Sequence, residues 1–332
     1  MFKSALLAAA LLVPGLVRAD TPPPPQPMVI ADGVWLIPGS FQGNWQPDGN
    51  TIVWQAPQGL IVMDTGRHLW HRQAILDLAK ARNQPVIAII NSHWHLDHNS
   101  GNADIKAAYP QARVYTSTAV LRMIRDFFPK GVADGEAYLA AHPDLPPEVA
   151  ADMKGDDDTR AHPDTLKPDV PVTESQDRDL GGRTLGVELA KDAATDGDVW
   201  VFDKQTGVLA SGDLVTLPVP FADTACMKGW RDGLDAIWAE PFTMLVPGHG
   251  EPMTRDQFLA YRTAFDAFVD CTDARTDTKV CADAWAAAVP ATQPTGTPVD
   301  PRASEMAGEY VDFLRENGGN APRCEAKSSA SG

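Results

Sequence analysis

Three histidines and one aspartate stand within six residues of this 332-residue chain, in the segment His93-Trp94-His95-Leu96-Asp97-His98. The whole chain contains only eight histidines, so three of them in six positions are a strong departure from random scatter. Imidazole and carboxylate groups are the side chains that bind zinc or iron in proteins. A polar surface turn would not need this concentration, so the segment predicts a metal site.

The elements around this segment predict how it is presented. Val86–Ile90 is a short, wholly apolar run that is typical of a buried strand, and the polar segment follows it directly. Further strands are predicted at Val34–Ile37, Thr51–Trp54, Leu60–Met63, Arg113–Tyr115, Thr184–Leu189, Val199–Phe202, Val208–Ser211 and Met244–Val246. Helical spacing predicts helices over Ala74–Ala81, Ala119–Phe128, Gln257–Val269 and Glu305–Glu316. Strands followed by helices in both halves favour a sandwich of two sheets flanked by helices.

The pattern His-x-His-x-Asp-His after a strand resembles the signature of the metallo-β-lactamase superfamily. Three other stretches resemble segments of that family in the same order: Asn50-Thr51 with Gly59–Gly66, Ser211-Gly212-Asp213, and Pro247-Gly248-His249-Gly250. An aspartate at position 213 resembles the glyoxalase II-like branch. The resemblance covers about Val34 to Gly250. It implies an α/β fold, the αβ/βα four-layer sandwich of two mixed β-sheets flanked by helices, here with a C-terminal helical extension.

The resemblance also implies a set of metal ligands and a zinc cofactor of one or two ions, with iron and manganese as alternatives. One ion would be held by His93 and His95, a second ion by Asp97, His98 and His249, and Asp213 would bridge the two. A water of lowered pKa would be the nucleophile. Asp97 would also be the catalytic residue that accepts a proton.

One position departs from the family pattern. Where the family has Gly/Ala-His-Thr-x-Gly-Asp, this chain has Ala193-Ala194-Thr195-Asp196-Gly197-Asp198, so Ala194 stands where a histidine ligand is expected. A methyl group cannot bind a metal, and we expect a first site that is weak or empty. The alternatives are a binding protein without catalysis, or a substitute ligand from among Asp192, Asp196, His142 and His162.

The Asp-Thr-Gly turn is followed by His68, Trp70 and His71. These residues could line the pocket or supply a ligand, but we favour the interpretation that they begin a helix.

The N-terminal segment predicts an exported protein, and the charge limits its partners. Residues 1–19 combine Lys3, the apolar run from Ala5 to Val13 and the segment Val17-Arg18-Ala19, which is typical of a secretory signal peptide cleaved after Ala19. Removal of Lys3 and Arg18 takes the formal net charge from −16 to −18, which argues against nucleic acid as a partner. We expect a small-molecule substrate, no membrane segment in the mature form and a periplasmic or secreted location.

The four cysteines fit that location, because an even number in an exported protein favours disulfides. Cys271 and Cys281 are close in sequence and pair most simply, which leaves Cys226 with Cys324; the other two connectivities remain open.

The predicted domain organisation places a Pro-rich leader at 20–32, the catalytic domain at 33–254, a C-terminal helical extension at 255–326 and a tail at 327–332. Within the domain, residues 129–172 are rich in Pro, Asp and Ala. They predict an insertion with one or two short helices over the active site, with a poorly ordered surface loop as the alternative. The predicted function is metal-dependent hydrolysis of an ester, thioester, lactone, β-lactam or related substrate. The alternative is a non-catalytic periplasmic metal- or ligand-binding protein on the same fold.

Overall fold

The computed structural model describes residues 21–322 and residue 324. The predicted signal peptide and the predicted tail lie outside the described residues. The strands are β1 (Met28–Ala31), β2 (Val34–Ile37), β3 (Thr51–Ala56), β4 (Gly59–Met63), β5 (Val86–Ile90), β6 (Arg113–Ser117), β7 (Val170–Val172), β8 (Gln176–Leu180), β9 (Arg183–Lys191), β10 (Gly197–Asp203), β11 (Val208–Ala210) and β12 (Met244–Val246). The helices are α1 (Leu69–Arg82), α2 (Leu96–Asn99), α3 (Asn102–Ala108), α4 (Ala119–Asp126), α5 (Phe128–Ala141), α6 (Pro147–Ala161), α7 (Met227–Ala239), α8 (Arg255–Asp273), α9 (Thr278–Ala288) and α10 (Ala303–Glu316).

The strands form two mixed sheets. One has seven strands in the order β1 to β7, antiparallel from β1 to β4 and parallel from β4 to β7. The other has five strands in the order β12-β11-β10-β9-β8, with β12 parallel to β11 and the rest antiparallel. β1 lies within the segment predicted as a leader and forms the edge of the first sheet.

The sheets and helices stack in four layers because side chains alternate between the two faces of each strand. In β10, Val199 and Val201 point between the sheets, while Trp200 and Phe202 point outward against helices. α1 and α3 cover the outer face of the first sheet, and α7 to α10 cover that of the second. The predicted αβ/βα sandwich with C-terminal helices is confirmed.

Two disulfides hold the C-terminal part. Cys271 is joined to Cys281, and Cys226 is joined to Cys324, with Cα atoms 5.7 Å and 5.4 Å apart. The favoured pairing is therefore confirmed. Among the described residues, no helix is long and apolar enough to cross a membrane.

The predicted insertion forms two helices rather than a disordered loop. α5 has 14 residues and α6 has 15, so both are longer than the short helices expected. The helix predicted over Ala119–Phe128 ends at Asp126, and α5 starts at Phe128 with Pro129 in its first turn, where proline fits a helix best.

Candidate metal centre and its pocket

The candidate ligands lie where strands of both sheets end. The segment His93–His98 follows β5, and Asp213 lies in a 3₁₀ turn directly after β11. His249 follows β12, which is parallel to β11. Because the carboxyl ends of parallel neighbours meet at one edge of a sheet, these loops converge at one end of the sandwich.

The converging side chains form two groups. His93, His95 and Asp213 make the first group, and Asp97, His98 and His249 make the second. Each residue offers one ligand nitrogen or oxygen, and within each group these atoms lie within 4.8 Å of one another. The structure therefore brings together all six residues that the sequence analysis selected.

Distances in the second group fit a single metal ion. His98 Nε2 lies 3.3 Å from His249 Nε2 and 3.6 Å from Asp97 Oδ2, and Asp97 Oδ2 lies 3.0 Å from His249 Nε2. Two donors on a tetrahedral ion, each with a bond of about 2.0–2.2 Å, are about 3.3–3.6 Å apart. The three donor atoms are thus spaced nearly as ligands of one ion would be.

Asp213 lies between the two groups. Its Oδ1 is 3.2 Å from His98 Nε2, whereas its Oδ2 is 3.7 Å from His93 Nε2. His93 Nε2 is buried and has no hydrogen-bond partner among the described residues. A buried polar nitrogen without a partner is costly, and a metal ion would satisfy it. One oxygen toward each group is also the arrangement that a bridging carboxylate requires.

The charge of the cluster also favours a cation. Burial alone would lower the pKa of His98, but the nearby carboxylates of Asp213, Asp97 and Asp64 raise it well above its usual value. A positive charge, either a proton or a metal ion, is therefore stabilised at this imidazole. Burial lowers the pKa of His93 well below its usual value and that of His95 to about 4, which keeps both in the neutral form that binds metals.

Further residues orient the second group. Asp64 lies directly after β4 with a φ of 60°, and its Oδ2 is 2.8 Å from His98 Nδ1. Ser92 donates hydrogen bonds to the same carboxylate from its backbone N–H and its hydroxyl. Gly49 lies against the other side of the ring, because a Cβ at this position would come within 2.3 Å of His98 Cε1. The imidazole is held on both sides, with Nε2 directed at the other donors.

The first group lacks the imidazole that the family pattern places at position 194. Ala194 is buried in the loop between β9 and β10, and Thr224 Oγ1 donates a hydrogen bond to its carbonyl oxygen at 2.9 Å. The same Oγ1 lies 3.4 Å from His95 Nε2. Neither donor group contains any of the four suggested replacements. His142 and His162 are exposed and bond to carbonyls of their own helices, and Asp196 pairs with Arg122.

A pocket of about 460 Å³ opens onto the cluster at Trp94, His95, Asp97 and Asp213. Its walls come from elements far apart in the sequence. They include Phe41 from the β2–β3 loop, Phe127 and Phe128 from the junction of α4 and α5, Asp156 and Arg160 from the insertion, Phe221 and Asp223 from the loop before α7, and Met306 and Tyr310 from α10. Residues of the insertion and of the C-terminal extension therefore both line the pocket beside the cluster.

Two buried ion pairs dock α6 on the domain. Arg67 Nη1 lies 2.5 Å from Asp156 Oδ2, and Arg67 Nη2 lies 3.9 Å from Asp97 Oδ1. His68 lies between two carboxylates, with Nδ1 2.8 Å from Asp48 Oδ2 and Nε2 2.8 Å from Asp152 Oδ1. His68 directly precedes α1, which agrees with the favoured interpretation that these residues begin a helix. Its ring also binds Asp152 of the insertion.

Comparison with known protein families shows which family this chain belongs to. The model of the metallo-beta-lactamase superfamily matches residues 46–249, which is more than half of the chain. The chain belongs to this superfamily. A comparison with curated protein sequences finds no match.

Solved structures share the superfamily fold. A metallo-beta-lactamase family protein from Thermus thermophilus is 19% identical, with a TM-score of 0.56, and the match covers 86% of this chain and 94% of that one. A stereoselective inverting sec-alkylsulfatase from Pseudomonas sp. is 15% identical, with a TM-score of 0.58 over 88% of this chain and 50% of that one. A metallo-beta-lactamase from Pseudomonas aeruginosa, in its mono-zinc form, is 16% identical, with a TM-score of 0.53 over 73% of this chain and 95% of that one. At these identities the likeness concerns the fold alone.

Several residues of this superfamily member were not identified from the sequence. Arg67, Asp152 and Thr224 lie in segments without a recognisable pattern. Asp64 belongs to the Asp-Thr-Gly turn, so that turn was the available signal for its contact with His98.

Proposed function

We propose that this protein is an exported metal-dependent hydrolase whose second group, Asp97, His98 and His249 with Asp213, holds one ion tightly. The observation that carries the proposal is the spacing of these donors, 3.0–3.7 Å between neighbouring nitrogen and oxygen atoms. Asp97, His98 and His249 supply three imidazole or carboxylate ligands, the usual number in a catalytic zinc site, and Asp213 is shared with the first group.

A metal ion bound there would polarise a carbonyl or phosphoryl oxygen and lower the pKa of water. The residues around it position the reactants. Asp97 faces the pocket, and Arg67 lies close enough to orient its carboxylate. Asp97 is therefore the candidate proton acceptor, and Arg67 is a positioning residue.

The pocket walls indicate the kind of substrate. Most are aromatic or apolar, with Phe41, Phe127, Phe221 and Met306 around the cluster. Such a surface binds an apolar group, while the reacting oxygen faces the metal. We therefore propose an ester, thioester, lactone, β-lactam or related compound with an apolar substituent.

Export is part of the proposal. It is supported by the N-terminal sequence and by the two disulfides, which persist in oxidising compartments.

The test is metal content together with turnover. After dialysis, we expect about one tightly bound ion per chain, and turnover of at least one member of a panel containing a cephalosporin, a thioester, a lactone and a phosphodiester. His98→Ala should lose both the ion and the activity, whereas His142→Ala, at an exposed histidine, should keep both. Because Ala194 removes one ligand, a non-catalytic binding protein is the competing function; bound metal without turnover of any substrate would favour it.

A further inference from the structure

The loop before α7 brings a hydroxyl group to the place where the first group lacks an imidazole. Thr224 Oγ1 donates a hydrogen bond to the carbonyl oxygen of Ala194 and lies 3.4 Å from His95 Nε2. The hydroxyl is therefore anchored on the very residue that replaces the histidine, and it faces a nitrogen of the first group.

The hydrogen bond to Ala194 directs the proton of this hydroxyl away from His95, so its lone pairs face the first group. A hydroxyl has one proton and two lone pairs, and the proton is used on the carbonyl of Ala194. The separation of 3.4 Å from His95 Nε2 is long for a hydrogen bond between nitrogen and oxygen, which is usually about 2.9 Å. It matches the distance of about 3.3–3.6 Å between two donors on one tetrahedral ion.

The surrounding chain fixes this position. The backbone N–H of Cys226 donates to the carbonyl of Ala193 at 2.8 Å, and Cys226 is joined to Cys324. Gly229 lets α7 approach closely, because a Cβ there would come within 1.8 Å of the carbonyl oxygen of Asp192. The threonine loop and the start of α7 are thus held against the loop of Ala194 next to the hydroxyl.

We propose that Thr224 Oγ1 completes the first metal site, with His93, His95 and Asp213, in place of the missing imidazole. This inference rests on the proposed function, since it presupposes an ion at the second group. Zinc ligands in proteins are normally thiolate, imidazole or carboxylate groups. A neutral hydroxyl is a weaker donor, so the first site binds its ion less tightly than the second.

The experiment is a titration of the metal-free mature protein with Zn²⁺ in competition with a chelator, and with Co²⁺ followed by its visible absorption. We expect one tight and one weaker equivalent. Thr224→Val keeps the shape of the side chain but removes the hydroxyl. It should lower the affinity of the weaker ion by at least about tenfold, or about 1.4 kcal/mol. The affinity of the tight ion should be unchanged, and Thr224→Ser should restore the affinity of the weaker ion.

Controls separate the site from general damage. Thr263→Val removes a similar hydroxyl, exposed on α8 and bonded to the carbonyl of Leu259, and should change neither equivalent. Ala194→His should raise the affinity of the weaker ion, because it supplies the missing imidazole. If the wild type binds no ion, the proposed function fails. If the tight ion is present but the weaker one is absent, or is the same in Thr224→Val, only the role of Thr224 is overturned.

Discussion

The contact of His68 with the insertion gives a prediction whose size and pH dependence follow from the structure. His68 is enclosed between Asp48 and Asp152, and the side chains are 6%, 2% and 2% exposed. Burial would lower the pKa of His68, but the hydrogen bonds to Asp152 and Asp48 outweigh burial and raise it. Asp152 also accepts a hydrogen bond from the backbone N–H of Gln46. The perturbation is Asp152→Asn, which keeps the shape of the side chain and removes its charge.

The expected loss of stability has two parts. While His68 is protonated, the amide oxygen can accept from His68 or from Gln46 but not from both, and one lost hydrogen bond costs about 1 kcal/mol. The bond that remains to His68 no longer joins two opposite charges. Bonds to charged groups contribute about 1.5–3 kcal/mol and neutral ones about 0.5–1.5 kcal/mol, so this part is about 1–2 kcal/mol. The total is about 2–3 kcal/mol when His68 is protonated.

The sign of the pH dependence follows from the raised pKa of His68. Its contribution to stability is complete below the unfolded pKa of about 6.5 and is lost as the pH rises through the higher folded value. The pKa of Asp48 is lowered to about 2, so this carboxylate stays charged throughout. The difference between wild type and Asp152→Asn should therefore be largest at pH 6 and fall towards zero at alkaline pH, where the amide can donate to the neutral His68 ring and still accept from Gln46.

Urea unfolding at pH 6, 7.5 and 9 measures this difference. Asp158→Asn is the matched control, because Asp158 faces His162 on the same helix but both side chains are more than 70% exposed. Its effect should be within about 0.5 kcal/mol at every pH. A loss in Asp152→Asn that is equal at pH 6 and pH 9 would refute a charged His68 in this contact.

Three further predictions concern the cluster and its pocket. Gly49→Ala should displace the His98 ring and weaken the tight ion about 10–100-fold in a chelator titration, whereas Gly155→Ala, with no atom within 4 Å of the new Cβ, should leave it unchanged. Asp64→Asn should also weaken that ion about 10–100-fold, because asparagine tolerates the φ of 60° but loses the charge beside His98 Nδ1; unchanged metal affinity would contradict the orienting role. Met306→Trp should narrow the pocket and raise KM for substrates with bulky apolar groups while metal content stays constant; a parallel loss of metal would show that α10 is coupled to the cluster.

The sequence predicts the centre of this fold better than its periphery. Val86–Ile90 and Met244–Val246 are found at their predicted bounds because buried strands have continuous apolar runs. The edge strand β8, Gln-Asp-Arg-Asp-Leu, was missed since four of its five residues are polar. The helix α7 was also missed, because it contains Gly229 and Gly233, which lower helix propensity but permit close packing.

In the candidate site, too, some residues could be predicted from the sequence and others could not. Its six donors could be selected because a family signature links side-chain type to position. Asp152 and Thr224 could not, because their roles depend on contacts 84 and 129 residues away along the chain, with His68 and His95. Only folding brings such pairs together, and neither residue type is distinctive on its own.

The bond between Cys226 and Cys324 ties one wall of the pocket to the end of the chain. It lies two residues beyond Thr224, in the loop that also supplies Phe221 and Asp223 to the pocket wall. In a reducing compartment this loop would keep its backbone hydrogen bond to Ala193 but lose its covalent attachment to the end of the chain. The second group of donors contains no cysteine and does not depend on the bond. Reduction of this bond would therefore act on one wall of the substrate pocket and leave the donors of the second group in place.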